Sequence, residues 1–169
     1  MSDHYPKPMV LIHWGTLFLV LLVYFSSGNS IKTGILGQIH VLGGILVFIL
    51  FLIRVLFVFI YKDTIPKNRM ISAYQKILFK IVKTALYLSL CCVPILGWLA
   101  LSSLTDSFHA WSIHIPLWTE VSGDHFIVEL HQILANVFMT LVGLHACAAL
   151  IHHFVFKDGT LKSMLLRNK

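Results

Sequence analysis

Four long apolar stretches dominate the chain, over about residues 9–26, 36–61, 77–101 and 129–156. The hydrocarbon core of a bilayer is about 30 Å thick and takes about 20 apolar residues of helix. Each stretch is continuous, whereas a membrane barrel would show short strands of alternating polarity. The pattern therefore predicts an all-α integral membrane protein, a four-helix bundle formed by one domain over residues 1–169.

Composition supports a membrane protein over a soluble one. Hydrophobic residues make up 57% of the chain and charged residues 12%, against about 45–50% and about 25% in soluble domains. The net charge of +6 does not indicate a nucleic-acid partner, because the basic residues share no soluble face. The first span is too long for a signal-peptide core and carries His13 and Trp14 at its start, so we expect it to be retained.

The basic residues predict the orientation, because Lys and Arg concentrate in cytoplasmic loops. They cluster before span one, between spans two and three, and after span four, whereas a single lysine lies in the opposite loops. Both termini are therefore predicted to be cytoplasmic. The residues used are Lys7, Lys62, Lys67, Arg69, Lys76, Lys80, Lys83, Lys157, Lys162, Arg167 and Lys169 on the inner side, and Lys32 on the outer side.

Four of the ten histidines fall at membrane depth, where a polar ring needs a partner. His131 and His145 are fourteen residues apart in span four, which is about 21 Å of helix with a rotation mismatch of about 40°. They thus point to one side, near opposite membrane surfaces. His13 matches the inner depth and His40 the outer depth. The sequence predicts two pairs, His13 with His145 and His40 with His131.

Two opposed imidazoles on neighbouring helices suit the axial positions of a haem iron. With both axial positions filled, electron transfer is favoured over oxygen chemistry. The simpler alternative is that each ring hydrogen-bonds across helices, but four rings in two depth-matched pairs favour haem. Zinc or copper is disfavoured, because no carboxylate or thiol joins either layer. The chain has no C-x-x-C-H motif, so the haem would be bound non-covalently.

Two further residues have alternative interpretations. Arg54 follows His40 by fourteen residues and either pairs with a haem propionate of the inner layer or extends to the cytoplasmic interface. His152 follows His145 by seven residues and lies on the same face, where it could donate a hydrogen bond and a proton to a quinone. The aromatic loop after span three is either a surface-lying segment or a lid over the outer haem.

Taken in order, these residues resemble the bacterial cytochrome b561 family of four-helix dihaem membrane proteins over nearly the whole chain. The end of the chain is most similar to the superoxide oxidase branch. The matching motifs are Ile12-His13-Trp14, His40 with Gly43-Gly44 and Arg54, Leu86-Tyr87, Pro94-x-x-Gly97-Trp98, His131, Gly143-Leu144-His145, and the segment 149–153 followed by 157–161.

The resemblance implies an oxidoreductase of the bacterial inner membrane that binds two haem b groups. His13 and His145 would ligate the inner haem, and His40 and His131 the outer one. Electrons would pass between a periplasmic donor, superoxide in that branch, and ubiquinone or another quinone near His152. One departure is Lys83, where the family often has histidine.

The charge of the outer face bears on the donor. Asp106, Glu120, Asp124 and Glu129 face a single Lys32 there, and a negative field disfavours an anion such as superoxide. A cationic redox carrier fits this field better. Two other hypotheses are a haem-bearing anchor for a redox partner subunit of a larger dehydrogenase or hydrogenase, and a haem-free, histidine-lined metal transporter.

Overall fold

Four long helices form the protein, as the apolar pattern predicted. A computed structural model describes residues 4–28, 34–66, 72–121, 123 and 125–166. The helices are α1 (Lys7–Phe25), α2 (Ile35–Ile60), α3 (Ala73–Leu104) and α4 (His125–Ile151). All four are long and apolar enough to cross a membrane.

The helix boundaries differ from the predicted ones chiefly at α3 and α4. Helix α3 begins before residue 77 because Ser72 and Gln75 form a reciprocal capping box at its start. Helix α4 begins at His125, four residues before the predicted start at 129. It ends at Ile151, and the predicted stretch to residue 156 continues as a π-helical segment, His152–Phe156.

Five of the charged residues used to predict the orientation, and one acidic residue used for the outer charge balance, lie outside the described residues. The orientation and the outer charge balance accordingly stay predictions. These residues are Lys32, Lys67, Arg69, Asp124, Arg167 and Lys169.

The helices pack in chain order, α1 against α2, α2 against α3 and α3 against α4. At the centre, each helix contributes one buried side chain to a single cluster: Val20, Val47, Leu90 and Phe138. Three of these side chains lie seven residues from a predicted haem ligand. Val20 follows His13 and Val47 follows His40 by seven residues, and Phe138 lies midway between His131 and His145. Seven residues are close to two helical turns, so this apolar layer separates the two histidine layers.

A small antiparallel hairpin follows α3. Its strands are β1 (Phe108–Ala110) and β2 (Ile113–Ile115), joined by a two-residue turn whose first residue, Trp111, has a φ of 50°. A positive φ at this position is typical of hairpin turns. The Trp111 amide donates to the Gln38 side chain at 2.9 Å, which holds the hairpin against α2. A short 3₁₀ segment, Thr119–Val121, leads on towards α4.

The chain ends pack together at the other end of the bundle. After the π-helical segment, Lys157 and Gly159 adopt left-handed φ values, and a one-turn helix α5 (Thr160–Ser163) folds back. The Tyr5 amide donates to the Ser163 carbonyl at 3.0 Å, and the Trp14 indole donates to the Met164 carbonyl at 2.8 Å. The first turns of α1 are thus covered by the C-terminal segment.

Gly43 permits the close approach of α1 and α2. A Cβ atom at residue 43 would lie 2.5 Å from Cγ2 of Val23. Because an overpacked site typically costs about 1–3 kcal/mol, we expect Gly43→Ala to lower the Tm of the detergent-solubilised protein.

Gly15→Ala is the matched control, because a Cβ atom there meets nothing within 4 Å and alanine is the better helix former. The Gly15→Ala protein should melt at or above the wild-type temperature. A Gly43→Ala protein that melts no lower than wild type would show that this packing is not tight.

Candidate functional site

The structure brings the four membrane histidines together in the two predicted pairs. The ring centroids of His13 on α1 and His145 on α4 are 6.3 Å apart, with ring planes at 80°. The centroids of His40 on α2 and His131 on α4 are also 6.3 Å apart, with planes at 84°. In both pairs the ring planes are nearly perpendicular, and the centroid separation is too long for a direct hydrogen bond between the two rings.

The outer pair, His40 with His131, has fixed ring orientations. His40 Nδ1 lies 2.8 Å from the Val23 carbonyl, and His131 Nδ1 lies 3.1 Å from the Val93 carbonyl. A carbonyl oxygen only accepts, so each Nδ1 carries the proton and donates it. The Nε2 lone pair of each ring is then free for a metal, which is how protein carbonyls orient histidine ligands.

A cavity of about 700 Å³ surrounds the outer pair. It is lined by residues of all four helices and by Ile115 of the hairpin. Gly97 belongs to this lining, and a Cβ atom there would lie 2.9 Å from Cε1 of His131. The Pro94-x-x-Gly97 motif therefore leaves room for the ligand ring. Ile115 brings the hairpin to the wall of this cavity, and whether the hairpin acts as a lid stays a prediction.

The inner pair, His13 with His145, lies beside a cationic side chain. Arg54 is near enough to interact electrostatically with both rings, and its Nε donates to the Tyr87 hydroxyl at 3.2 Å. Its guanidinium carbon is 5.6 Å from the centre of the Tyr87 ring. Arg54 is thus held half-buried against α3, whereas Lys83 is exposed near the Phe79 ring.

The histidine pairs have the geometry of a bis-imidazole metal site. Two rings that bind one metal from opposite sides, each at about 2.0 Å, have centroids about 6 Å apart. Buried Nδ1 of His13 has no hydrogen-bond partner among the described residues. Within the same residues no group of three or more His, Cys, Asp or Glu could hold a metal ion. A porphyrin would supply four nitrogens to a metal held by either pair.

Comparison with known proteins identifies the family. The model of the prokaryotic cytochrome b561 family matches residues 4–167. The chain belongs to this family. Membership implies a b-type haem, a role in electron transport and oxidoreductase chemistry.

Relatives of similar length support the assignment. Cytochrome b561 homolog 1 of Escherichia coli is 27% identical over 99% of both chains. Probable superoxide oxidase CybB of Yersinia pestis is 29% identical over all of this chain and 99% of its own. Cytochrome b562 of Cereibacter sphaeroides is 26% identical over 95% of this chain and 94% of its own.

The sequence indicated His152 as a candidate functional residue but did not indicate Asp158, whose carboxylate contacts its ring. His152 lies at the start of the π-helical segment, and its Nδ1 contacts Oδ2 of Asp158. The other carboxylate oxygen, Oδ1, accepts from the Thr160 amide at 3.0 Å and from the Thr160 hydroxyl at 2.7 Å. The only sequence signal was the run Lys157-Asp158-Gly159-Thr160, in which aspartate two residues before threonine is typical of a side-chain-stabilised turn.

Electrostatics favour an ionised Asp158. Partial burial raises the pKa of this carboxyl group, but the hydrogen bonds from the Thr160 hydroxyl, His152 and the Thr160 amide outweigh it and hold the pKa below the ordinary value. At the start of the chain, burial and the neighbouring Tyr87 raise the pKa of Tyr5 against the opposing effect of Arg54. Tyr5 therefore stays neutral beside the guanidinium. Sequence reasoning did not find Tyr5, and it quoted Tyr87 only as part of a motif.

A second, smaller hollow lies near His152 without including it. Its volume is about 230 Å³, and its lining consists of His153, Phe154, Lys157, Gly159 and Lys162. The structure thus places two imidazoles at this end of the bundle, one anchored to Asp158 and the other facing the hollow.

Asp158 should stabilise the C-terminal fold in a pH-dependent way. Since its pKa is depressed in the folded state, its contribution is complete above the ordinary aspartate pKa of about 3.9 and is lost as the pH falls through the lower folded value. At pH 6 we expect Asp158→Asn to reduce amide-exchange protection in residues 160–163.

At pH values below the folded pKa, the wild-type and Asp158→Asn proteins should show equal protection there. Hydrogen exchange with mass spectrometry measures both conditions. A difference that persists unchanged at the acid end would mean that the carboxylate charge is not what holds α5.

Proposed function

We propose that this protein is a dihaem b-type cytochrome of the bacterial inner membrane that carries electrons between a donor at the hairpin end and membrane quinone at the other end. The observation that carries the proposal is the repeated histidine geometry. Two pairs at different depths share one centroid separation and nearly perpendicular rings. Bound haem would supply a one-electron carrier at each pair.

His40 and His131 would hold one haem, at the position predicted to be the outer one, and His13 and His145 would hold the other. The carbonyls of Val23 and Val93 orient the outer ligands. Arg54, fixed by Tyr87, offers a cation to an inner haem propionate. Such charge-assisted pairs are stronger than neutral hydrogen bonds.

His152 and Asp158 form the proposed quinone site. The Asp158 carboxylate can only accept, so it accepts from Nδ1 of His152 and fixes the orientation of the ring. We propose that Nε2, on the other side of the ring, donates a hydrogen bond and a proton to a quinone carbonyl oxygen whenever the ring is in its imidazolium form. The likeness to the Yersinia protein named as a probable superoxide oxidase supports superoxide as the donor.

A cationic redox protein is the second candidate donor. Asp106, Glu120 and Glu129 are exposed. Asp106 follows α3, Glu120 precedes α4, and Glu129 lies in the second turn of α4. A negative face attracts cationic partners and slows the approach of anions. With superoxide as donor, local features near the outer pair would have to outweigh this field.

Haem content tests the ligand assignment. The purified wild-type protein should give two b-type haems per chain in a pyridine haemochrome assay. His145→Ala and His131→Ala should each lose one haem, the inner and the outer respectively, because an iron left with one imidazole is weakly held.

His125→Ala provides the control, since His125 is exposed at the start of α4 and belongs to neither pair. It should retain two haems. Absence of haem from wild-type protein made with ample haem supply would contradict the proposal and favour the metal-transport hypothesis.

Quinone reduction tests the second site. Chemically reduced protein is mixed anaerobically with short-chain ubiquinone, and loss of the reduced α band is followed. His152→Gln should slow reoxidation roughly 10²-fold, as removal of a general acid typically does. Asp158→Asn should slow it less, and both variants should retain two haems.

His153→Gln is the matched control and should react at the wild-type rate. If His153→Gln is slow and His152→Gln is not, the quinone binds in the neighbouring hollow instead. Wild-type kinetics in both His152→Gln and Asp158→Asn would reject the proposed roles of these two residues.

A further inference from the structure

The hairpin carries two histidines that neither haem layer uses. His109 on β1 lies directly opposite His114 on β2 in the strand register. Both residues are exposed, whereas Ala110 and Ile115 of the same strands are buried. Opposite residues of an antiparallel pair project to the same face. The two imidazoles therefore stand side by side on the outward face of the hairpin.

The hairpin holds this pair in place before any ligand arrives. The His109 and His114 ring centroids are 4.9 Å apart, with planes at 48°. The pair lies next to the turn that begins at Trp111, and the Trp111 amide is bonded to Gln38 of α2. Burial of Ile115, which also lines the outer cavity, fixes the second strand. Both strands are thus anchored to the bundle.

Two neutral imidazoles at this spacing can chelate one metal ion. Metal–nitrogen bonds of about 2.0–2.1 Å allow two ligand nitrogens to lie up to about 4.2 Å apart. Rings with centroids 4.9 Å apart reach this range by rotation about χ2, which is a soft torsion. Imidazole suits zinc, copper and nickel rather than magnesium or calcium, and Cu²⁺ binds most tightly among divalent first-row ions.

We propose that His109 and His114 form a two-imidazole chelate for a divalent late transition metal, preferring Cu²⁺, on the hairpin whose Ile115 lines the outer cavity. Because the pair is exposed, water completes the coordination shell. This distinguishes it from the histidine pairs between the helices, whose side chains are half-buried. The chelate is independent of haem, so it does not rest on the proposed electron-transfer function.

The experiment titrates Cu²⁺ into purified holoprotein that carries no polyhistidine tag, with calorimetry as the readout. We expect one tight site per chain. His109→Gln and His114→Gln should each weaken it roughly tenfold to a hundredfold, because loss of one arm removes the chelate advantage. The double variant should lose the site, and Zn²⁺ should bind the wild type more weakly than Cu²⁺.

His125→Gln is the control and should bind Cu²⁺ like the wild type, and the haem absorbance of every variant checks that the bundle is intact. Electron paramagnetic resonance of the copper-loaded wild type should show coupling to two nitrogen ligands, reduced to one in each single variant. Unchanged Cu²⁺ affinity in the double variant, or a tight site lost in His125→Gln instead, would overturn the proposal.

Discussion

The need to satisfy imidazole rings at membrane depth is the constraint on which the rest of this structure depends. A polar ring between apolar helices is unfavourable unless it finds a partner, and here each such ring faces a second one. The 6.3 Å separation of both pairs is too long for a direct hydrogen bond and suits a metal between the rings. Gly43 and Gly97, which leave room for close neighbours, and the cavity around His40 and His131 accommodate this arrangement.

The layering of the bundle follows from helix periodicity. The central cluster of Val20, Val47, Leu90 and Phe138 lies between the histidine layers because seven residues return a side chain to nearly the same face. Helix α4 carries a ligand to each layer with Phe138 midway between them. This helix therefore sets the distance between the layers, and the buried apolar cluster occupies the space between them.

Different segments pack at the two ends of the bundle. At one end a hairpin anchored through Gln38 contributes Ile115 to the wall of the cavity around His40 and His131 and presents His109 and His114 to solvent. At the other end the C-terminal segment folds onto the start of α1, held by Trp14 and by the Asp158 contacts with His152 and Thr160. In the proposed function, the hairpin end receives electrons from the donor and the other end delivers them to quinone.

The sequence by itself determined the four helices and the depth-matched pairing of the histidines, because hydrophobic length and helical spacing are local properties of the chain. Its motifs also resemble the family that the comparison identified. The sequence could not show which contacts hold the segment after α3 or the Arg54 side chain. Those contacts join residues distant in the chain, Trp111 with Gln38 and Arg54 with Tyr87. The same holds for Asp158, whose part in orienting His152 exists only because a left-handed Lys157 turns the chain back. Side-chain partners across such turns are decided by tertiary packing, which no local periodicity encodes.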